Sequence, residues 1–250
     1  MPSLRRAFLL FWIAFAATAS TRADANAVIA KARAYLGSEE ALNGVKSIHY
    51  SGVVEEAVSG EKSPGYKIDM IFQKEFQQRL VVTRADAVEI TALNDYEAWH
   101  RVQDPARPAS GNTGLYSSNT VKQLRASTWE NMAFFAGIEK VGGTVIDDGE
   151  VDLDGKKAHK LSFVHEPGIV YIRYFEPETG RLLGTETDLG VRIREEGEII
   201  SAGIRFPKRI INSNTGPDGK EHVVTVTIES VTVNETFPDD IFGVPLLAPP

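Results

Sequence analysis

The sequence predicts a mainly β fold with helices, in which one antiparallel sheet is too wide to stay flat and curls into a barrel or partial barrel. Segments of alternating apolar and polar residues follow one another through turn-forming residues, at spacings of about ten residues. About eleven strands are expected on this rhythm. No linker-like segment divides the 250 residues, and their composition, with 42% hydrophobic and 24% charged residues, is that of a globular chain.

The first 25 residues are expected to be a secretory signal peptide, which leaves one domain over residues 26–250. Arg5 and Arg6 precede an apolar run from residue 7 to residue 17, and small residues follow it. The run is too short for a permanent membrane span. Cleavage after Ala19 and cleavage after Ala25 both fit the pattern of small residues, and both remain open.

The basic pair also partly matches the twin-arginine export pattern. We expect the general secretory route instead, because the apolar run is very hydrophobic and no cofactor motif requires loading before export. With no second apolar run of membrane length and no cysteine, the mature chain is expected to be soluble in an extracytoplasmic space, without disulfides or an acylated-cysteine anchor.

Two helical regions are predicted around the strands. The first runs from Asn26 to Leu42 and is broken or bent at Gly37, with Ser38 as the N-cap of a short second piece. The second runs from Thr120 to Ile138 and carries an apolar stripe. A long loop over residues 103–119, rich in Pro, Gly, Ser and Asn, is expected before it, and loops of that length are usually functional or mobile.

The strands are assigned from period-two alternation and from the turns between them. The expected strands are residues 46–55, 66–73, 79–83, 87–93, 96–102, 144–153, 157–165, 169–175, 181–188, 204–213 and 221–233, with one or two more across residues 191–200. Tight turns are expected at Asn94-Asp95 and at Asp154-Gly155.

Several function classes are excluded or disfavoured by composition and motifs. A formal charge of -7 argues against nucleic-acid binding, and the absence of cysteine removes thiol nucleophiles and cysteine-held metal centres. No phosphate-binding loop, dinucleotide fingerprint or nucleophile elbow occurs. The chain is therefore expected to be no enzyme, with no cofactor and no catalytic residue.

Metal binding is also not expected. The segment from Glu150 to Gly155 resembles the start of a calcium loop, but Leu161 stands where a bidentate Glu should close the coordination shell, so a hairpin is favoured. The five histidines form no ligand motif, and a histidine without a motif is usually structural or solvated. They are His49, His100, His159, His165 and His222.

The apolar residues of three strands are expected to line the concave face of the curved sheet. They are Tyr66, Ile68, Met70 and Phe72 on one strand, Val170, Ile172 and Tyr174 on another, and Val224, Val226 and Ile228 on a third. The second helical region adds Trp129, Met132, Phe134 and Phe135. The eight residues predicted as ligand-binding are Tyr66, Ile68, Met70, Phe72, Trp129, Met132, Phe134 and Phe135. Two alternatives stay open at this point: a filled core, and a core left partly empty for a lipid chain.

The order of these signals resembles the periplasmic outer-membrane lipoprotein-sorting family, the lipoprotein carrier proteins. The segments that carry the resemblance are residues 44–52, 94–99, 153–161, 175–183, 203–207 and 233–242. One departure lies at Tyr96, which follows Asp95 where the family usually has glycine. The resemblance implies an incompletely closed antiparallel barrel with helices over its open mouth and an apolar cavity inside.

Three functions follow as expectations. The leading one, which the resemblance implies, is a periplasmic carrier or binding protein for a lipid or for the acyl chains of a lipoprotein, with the helix from Thr120 to Ile138 and the preceding loop as a lid. The second is an envelope sensor or scaffold module with a filled core that binds a protein partner. The third is a hydrolase or metal enzyme with clustered histidines and carboxylates.

Overall fold

The computed structural model describes residues 17–166 and 168–245. The helices are α1 Ala17–Leu36, α2 Glu39–Asn43 and α3 Ser118–Met132, with short 3₁₀ turns at Ile138–Val141 and Asp239–Ile241. The strands are β1 Ser47–Val58, β2 Glu61–Lys62, β3 Tyr66–Gln73, β4 Gln77–Thr83, β5 Val88–Asn94, β6 Glu97–Asp104, β7 Arg107–Leu115, β8 Thr144–Leu153, β9 Lys156–Val164, β10 Val170–Phe175, β11 Leu182–Thr187, β12 Arg192–Glu196, β13 Ile199–Ser201, β14 Ile204–Phe206, β15 Arg209–Thr215 and β16 Glu221–Val233. Residues 1–16, which hold most of the predicted signal peptide, lie outside the described residues.

The strands form one antiparallel sheet of 14 strands, in the order β7-β6-β5-β4-β3-β1-β16-β15-β12-β11-β10-β9-β8, with β2 paired to β1. The strands β13 and β14 form a separate two-stranded hairpin. The large sheet begins at β7 and ends at β8, and the described residues contain no pairing between these two edges. The predicted mainly β fold, a curved sheet that does not close into a barrel, is therefore confirmed.

The topology places α3 between the two edges of the sheet. The chain leaves edge strand β7, forms α3, and enters edge strand β8 at the other end of the sheet. Along its length α3 contacts β3, β4, β5 and β6. A helix that joins the two edges of an open, curved sheet must cross the concave side, so α3 covers the interior.

The predicted break between the first two helices is confirmed. Gly37 separates α1 from α2, and the Ser38 side chain accepts a hydrogen bond from the backbone N–H of Ala41, as an N-cap does. A Cβ atom at Gly37 would lie 2.8 Å from the carbonyl oxygen of Gly203, so the glycine allows this joint to approach the β13–β14 hairpin. α1 begins earlier than expected, upstream of Asn26.

The predicted tight hairpins also form. Leu153 pairs with Lys156 across Asp154 and Gly155, which both have positive φ angles of 52° and 78°. This is the backbone of a two-residue hairpin turn, for which Asp-Gly is a preferred sequence. The resemblance of this segment to a calcium loop therefore reflects turn chemistry.

The predicted loop over residues 103–119 is wrong for most of its length. Residues Arg107–Leu115 form β7, which pairs with β6 from Trp99 to Asp104. The strand was missed because it has small polar residues and no alternation, which an edge strand with one exposed side tolerates.

The predicted end of the second helical region is also wrong. α3 ends at Met132, because Phe134 and Phe135 have positive φ angles of 48° and 69° that no helix accommodates. The apolar stripe continues past the helix, so the pattern alone overestimates its length.

The predicted inward face of β10 is wrong as well. Arg173 pairs with the buried Leu161 of β9 and with the buried Thr185 of β11, and cross-strand partners share one face of a sheet. Arg173, with Tyr171 and Phe175, therefore points inward, and the predicted lining residues Val170, Ile172 and Tyr174 lie on the opposite face. The strand is apolar on both faces, so alternation could not choose between them.

Candidate functional site

A cavity of about 750 Å³ lies inside the curved sheet. The concave face of the sheet bounds it on one side, and α3 with the residues that follow it bounds the other. Its volume falls within the range of roughly 300–1,000 Å³ that is usual for ligand pockets. Apolar walls come from β1, β3, β10–β12, β15 and β16 together with α3. Its apolar and aromatic lining includes Leu36, Tyr50, Met70, Phe72, Leu124, Phe134, Phe135, Tyr171, Leu182, Ile193, Phe206, Ile210 and Val226.

Beside the cavity, the concave face is filled by a packed apolar cluster. Its buried members come from α2, β1, β3, β14 and β16, with Met132 and Phe134 from the α3 region. The most completely buried of them are Leu42, Val45, Ile48, Ile204 and Ile228. The interior is therefore part filled core and part cavity, and neither of the two sequence-based alternatives describes all of it.

The eight predicted ligand-binding residues divide into three groups. Four of them line the cavity: Met70, Phe72, Phe134 and Phe135. Tyr66, Ile68 and Met132 belong to the packed apolar cluster and are absent from the cavity wall. Trp129 faces away from the cavity wall and stacks on Phe76, with the ring centroids 6.1 Å apart.

A buried ionic cluster joins α3 to the far wall of the cavity. Glu130 of α3 contacts Arg173 of β10 with one carboxylate oxygen, and the other oxygen accepts a hydrogen bond from Nε2 of His165. The side chains of all three are at most 8% exposed. Burial opposes ionisation of Glu130, but Arg173 and His165 outweigh it and hold the pKa of this carboxyl below its ordinary value.

Arg173 also packs against aromatic rings in this wall. Its guanidinium carbon lies 4.8 Å from the ring centre of Phe163 and 4.9 Å from that of Phe135, which are cation–π distances. The Nε atom is buried and has no hydrogen-bond partner among the described residues. Arg173 lines the cavity, while its Nε atom lies buried within the wall.

Glu195 of β12 also lines the cavity. Its side chain is accessible to solvent, but nearby protein atoms partly desolvate the carboxylate and raise its pKa, an effect that Arg173 partly offsets. Burial also raises the pKa of Tyr50, and the Glu195 charge raises it further. Glu195 therefore interacts electrostatically with Tyr50 and with Arg173, which line the same cavity.

Neither Arg173 nor Glu195 was identified from the sequence, because a charged residue within a strand is normally expected to face solvent. The signal that could have found them is register. Once β10 is paired with β11, and β12 with β15, Arg173 and Glu195 fall opposite residues of the concave face.

The segment that follows α3 is held to α1 by Arg33, which is 5% exposed. Its Nη1 donates to the carbonyl oxygens of Ala133 at 3.1 Å and Phe134 at 2.9 Å. Its Nε and Nη2 donate to the carboxylate of Glu39 at 2.7 and 2.6 Å. Arg33 therefore satisfies the carbonyls that the end of α3 leaves open and fixes the strained backbone of Phe134 and Phe135.

Within residues 17–166 and 168–245, no three or more His, Asp or Glu side chains lie close enough together to hold a metal ion. Four of the five histidines, all except His100, are instead paired with carboxylates, as in the 2.7 Å contact between Nε2 of His159 and Asp147. In the same part of the chain, no helix combines the length and apolar character needed to cross a membrane.

These features define the chain as an open half-barrel with a helix-covered interior cavity, and solved structures share this fold. A LolA-superfamily protein from Nitrosomonas europaea superimposes with a TM-score of 0.59 at 14% identity, covering 88% of this chain and 97% of the other. An outer membrane lipoprotein-sorting protein domain from Vibrio parahaemolyticus gives 0.54 at 11% identity, with 87% and 97% covered. A DUF1329 family protein from Desulfovibrio piger gives 0.57 at 11%, with 88% and 97% covered.

The chain thus shares the fold of these solved structures, as the sequence resemblance implied. No protein-family model matches the sequence, and no curated protein is similar to it. At these identities the likeness concerns the fold, so the function rests on the site itself.

Proposed function

We propose that this chain is a periplasmic carrier or binding protein for a hydrophobic ligand, a lipid or the acyl chains of a lipoprotein, and that it has no catalytic role. The observation that carries the proposal is the cavity of about 750 Å³ between α3 and the sheet. A scaffold module with a filled core, the alternative function, gives no reason for such a space.

Affinity would come from burial of the acyl chain. Each methylene removed from water contributes about 0.8 kcal/mol, so a dozen methylenes contribute roughly 10 kcal/mol before the entropy of association is subtracted. Met70, Phe72, Phe134 and Phe135 form the apolar wall that such a chain would contact. Tyr66, Ile68, Trp129 and Met132 would support that wall from behind.

The test is displacement of a fluorescent fatty acid from the purified protein, together with native mass spectrometry. Wild-type protein should take up the probe, and Met70→Trp should weaken the uptake because the larger indole occupies part of the cavity beside its apolar wall. Val102→Trp is the matched control, since Val102 is 48% exposed and lies away from the cavity, and it should bind like the wild type. A wild-type protein that stays empty and binds no acyl probe would refute the carrier function.

The periplasmic location rests on the N-terminal segment, and we propose that the signal peptide is cleaved after Ala19. Ala25 is 4% exposed and packs with Ala32, Phe163 and Phe175, so a cut after Ala25 would remove a residue of the core. The intact mass of the exported protein should correspond to a chain that begins at Ser20. A mature chain that begins at Asn26 would contradict this.

A further inference from the structure

We propose that acyl chains enter the cavity at one end only, where the first half of α3 meets the β9–β10 and β11–β12 turns, and that Leu189 is the apolar contact that guides them in. This inference rests on the proposed function, because it specifies how the ligand of the same cavity is loaded. The opposite end is ringed by charged side chains and stays closed to the acyl chain. The headgroup of the cargo therefore remains at the Leu189 end.

The hairpin of β10 and β11 gives the cavity two opposite ends. These strands pair antiparallel, so the β9–β10 and β11–β12 turns lie at one end of the hairpin and the β10–β11 turn, residues 176–181, lies at the other. Leu189 at the first end and Arg181 at the second both line the cavity. The six residues of β10 rise by about 3.3 Å each, so roughly 20 Å separates the two ends.

The first end, here called the turn end, opens to solvent at an apolar side chain. Gln123 and Leu124 of α3 line the cavity there together with Ile169 and Leu189 of the two turns. Leu189 is 65% exposed, so the cavity wall reaches the surface at this residue. Other large apolar side chains that are exposed in the described part of the chain lie outside the cavity wall: Tyr96, Val102, Leu115, Ile146 and Ile200.

The charged groups at the turn end leave this opening apolar. The carboxylate of Asp188 accepts a hydrogen bond from the backbone N–H of Val170 at 3.1 Å, and the Asp188 N–H donates to the Val170 carbonyl at 3.2 Å. Asp188 thus fixes the β11–β12 turn on β10 and holds Leu189 at the edge of the cavity. Lys122 of α3 pairs with Glu166 at 2.5 Å, but both side chains are more than half exposed, so this pair can open at little cost.

The opposite end, here called the charged end, is ringed by side chains that bind one another. Glu198 accepts a hydrogen bond from Tyr35 of α1 at 2.9 Å and pairs with Arg205 at 2.5 Å. The guanidinium carbon of Arg205 also lies 5.4 Å from the ring centre of Tyr35. An acyl chain that passed these groups and Arg181 would remove their water and supply no hydrogen bond in return, which is costly for charged groups.

Backbone contacts also hold the charged end together. Gly180 lies so close to α1 that a Cβ atom there would be 2.5 Å from the carbonyl carbon of Lys31, and Nζ of Lys31 donates to the carbonyl oxygen of Pro177 at 2.6 Å. Gly37, directly after α1, makes the similar close approach to Gly203. α1 is thus packed against both the β10–β11 turn and the β13–β14 hairpin, so widening this end would separate three elements.

The experiment obstructs the two ends separately. The chain has no cysteine, so Leu189→Cys and Arg181→Cys can each carry one maleimide-linked polyethylene glycol, at the turn end and at the charged end. Stopped-flow uptake of a fluorescent fatty acid is measured for each variant before and after labelling. The label should slow uptake at least about tenfold in Leu189→Cys and change it less than about twofold in Arg181→Cys.

A label that slows uptake at Arg181 and not at Leu189 would overturn the proposal, as would equal effects, or none, at the two ends. A wild-type protein that takes up no probe would instead refute the carrier function.

Leu189→Asp tests the apolar contact itself. Uptake and release of the probe should both slow by about tenfold, because the acyl chain must pass a charged group, while the Kd should change less than about twofold. Ile200→Asp is the matched control, since Ile200 is also 65% exposed but lies outside the cavity wall, and it should keep the wild-type rates. Weaker binding of the probe by Leu189→Asp at an unchanged rate of uptake would assign Leu189 to affinity alone and overturn its role in entry.

Discussion

The concave side of this sheet contains two regions built from the same curved strands but packed to different degrees. Under β1, β3 and β16 the space is filled by apolar side chains such as Ile48 and Ile228, both 0% exposed. Under β10, β11 and β12 the wall carries Arg173, Thr185 and Glu195, and the space is left open. The first region holds the fold together, and the second leaves the cavity that the proposed ligand would occupy, so substitutions in the two should differ in kind.

The largest effect is expected from a cavity made in the filled region. Ile228→Ala should lower the free energy of unfolding by about 4 kcal/mol, because it removes buried methylenes from a site that cannot collapse. Ile193→Ala on the cavity wall should cost less than about 1 kcal/mol, since its side chain already borders open space. Urea unfolding of both variants measures the difference. Equal losses would show that the two regions are packed alike.

Glu130→Gln should break the ion pair that joins α3 to the cavity wall. It should lower the free energy of unfolding by about 3 kcal/mol, since it leaves Arg173 without a buried counter-charge. The pKa of Glu130 is lowered, so its stabilisation is fully present above the ordinary Glu pKa of about 4.3 and is lost as the pH falls through the lower pKa of the folded state.

Unfolding of the wild type and of Glu130→Gln at pH 7 and at pH 3 tests both statements. The difference in the free energy of unfolding between the two proteins should be large at pH 7 and smaller at pH 3. Glu150→Gln removes an exposed pair with Lys157 and is the control, with little change at either pH. A stability difference between the two proteins that does not change with pH would show that Glu130→Gln acts through packing and not through the lost charge.

Arg33→Met should cost about 2 kcal/mol, because the carbonyls of Ala133 and Phe134 lose their donor where the chain leaves α3. The loss should be local, so hydrogen exchange should increase in residues 128–136 more than in the strands under the filled region. Uniform exchange across the chain would show that Arg33 supports the whole fold and has no special role at this joint.

The smallest effect is expected on the outside of the sheet, at His49, which belongs to neither region. Burial opposes its charge, but hydrogen bonds to Asp69 and Glu235 at 2.8 Å outweigh it and raise its pKa. Its stabilisation is therefore present below the ordinary His pKa of about 6.5 and is lost as the pH rises through the raised pKa. His49→Gln should cost less than about 1 kcal/mol at pH 5 and almost nothing at pH 9, as read from thermal unfolding. A larger loss at pH 9 would contradict this sign.

The two regions also differ in how far the sequence predicts them. The hairpin at Asp154-Gly155 and the N-cap at Ser38 depend on neighbouring residues, so local patterns find them, and the apolar stripe of β3 identifies Met70 and Phe72. Arg173 and Glu195 depend on which strand pairs with which, so no local pattern reveals their face. The sequence does not predict β7 for a related reason: an edge strand with one neighbour needs little apolar character.

The edge strands β7 and β8 are joined through the chain by the segment that contains α3. The 15 residues of α3 rise by about 22 Å, so a covalent span of set length crosses the mouth of the half-barrel. The length of this segment limits how far the two edges can separate, whatever fills the space between them. The width of the interior is thus a property that could be increased turn by turn, by inserting residues into one helix and leaving the sheet unchanged.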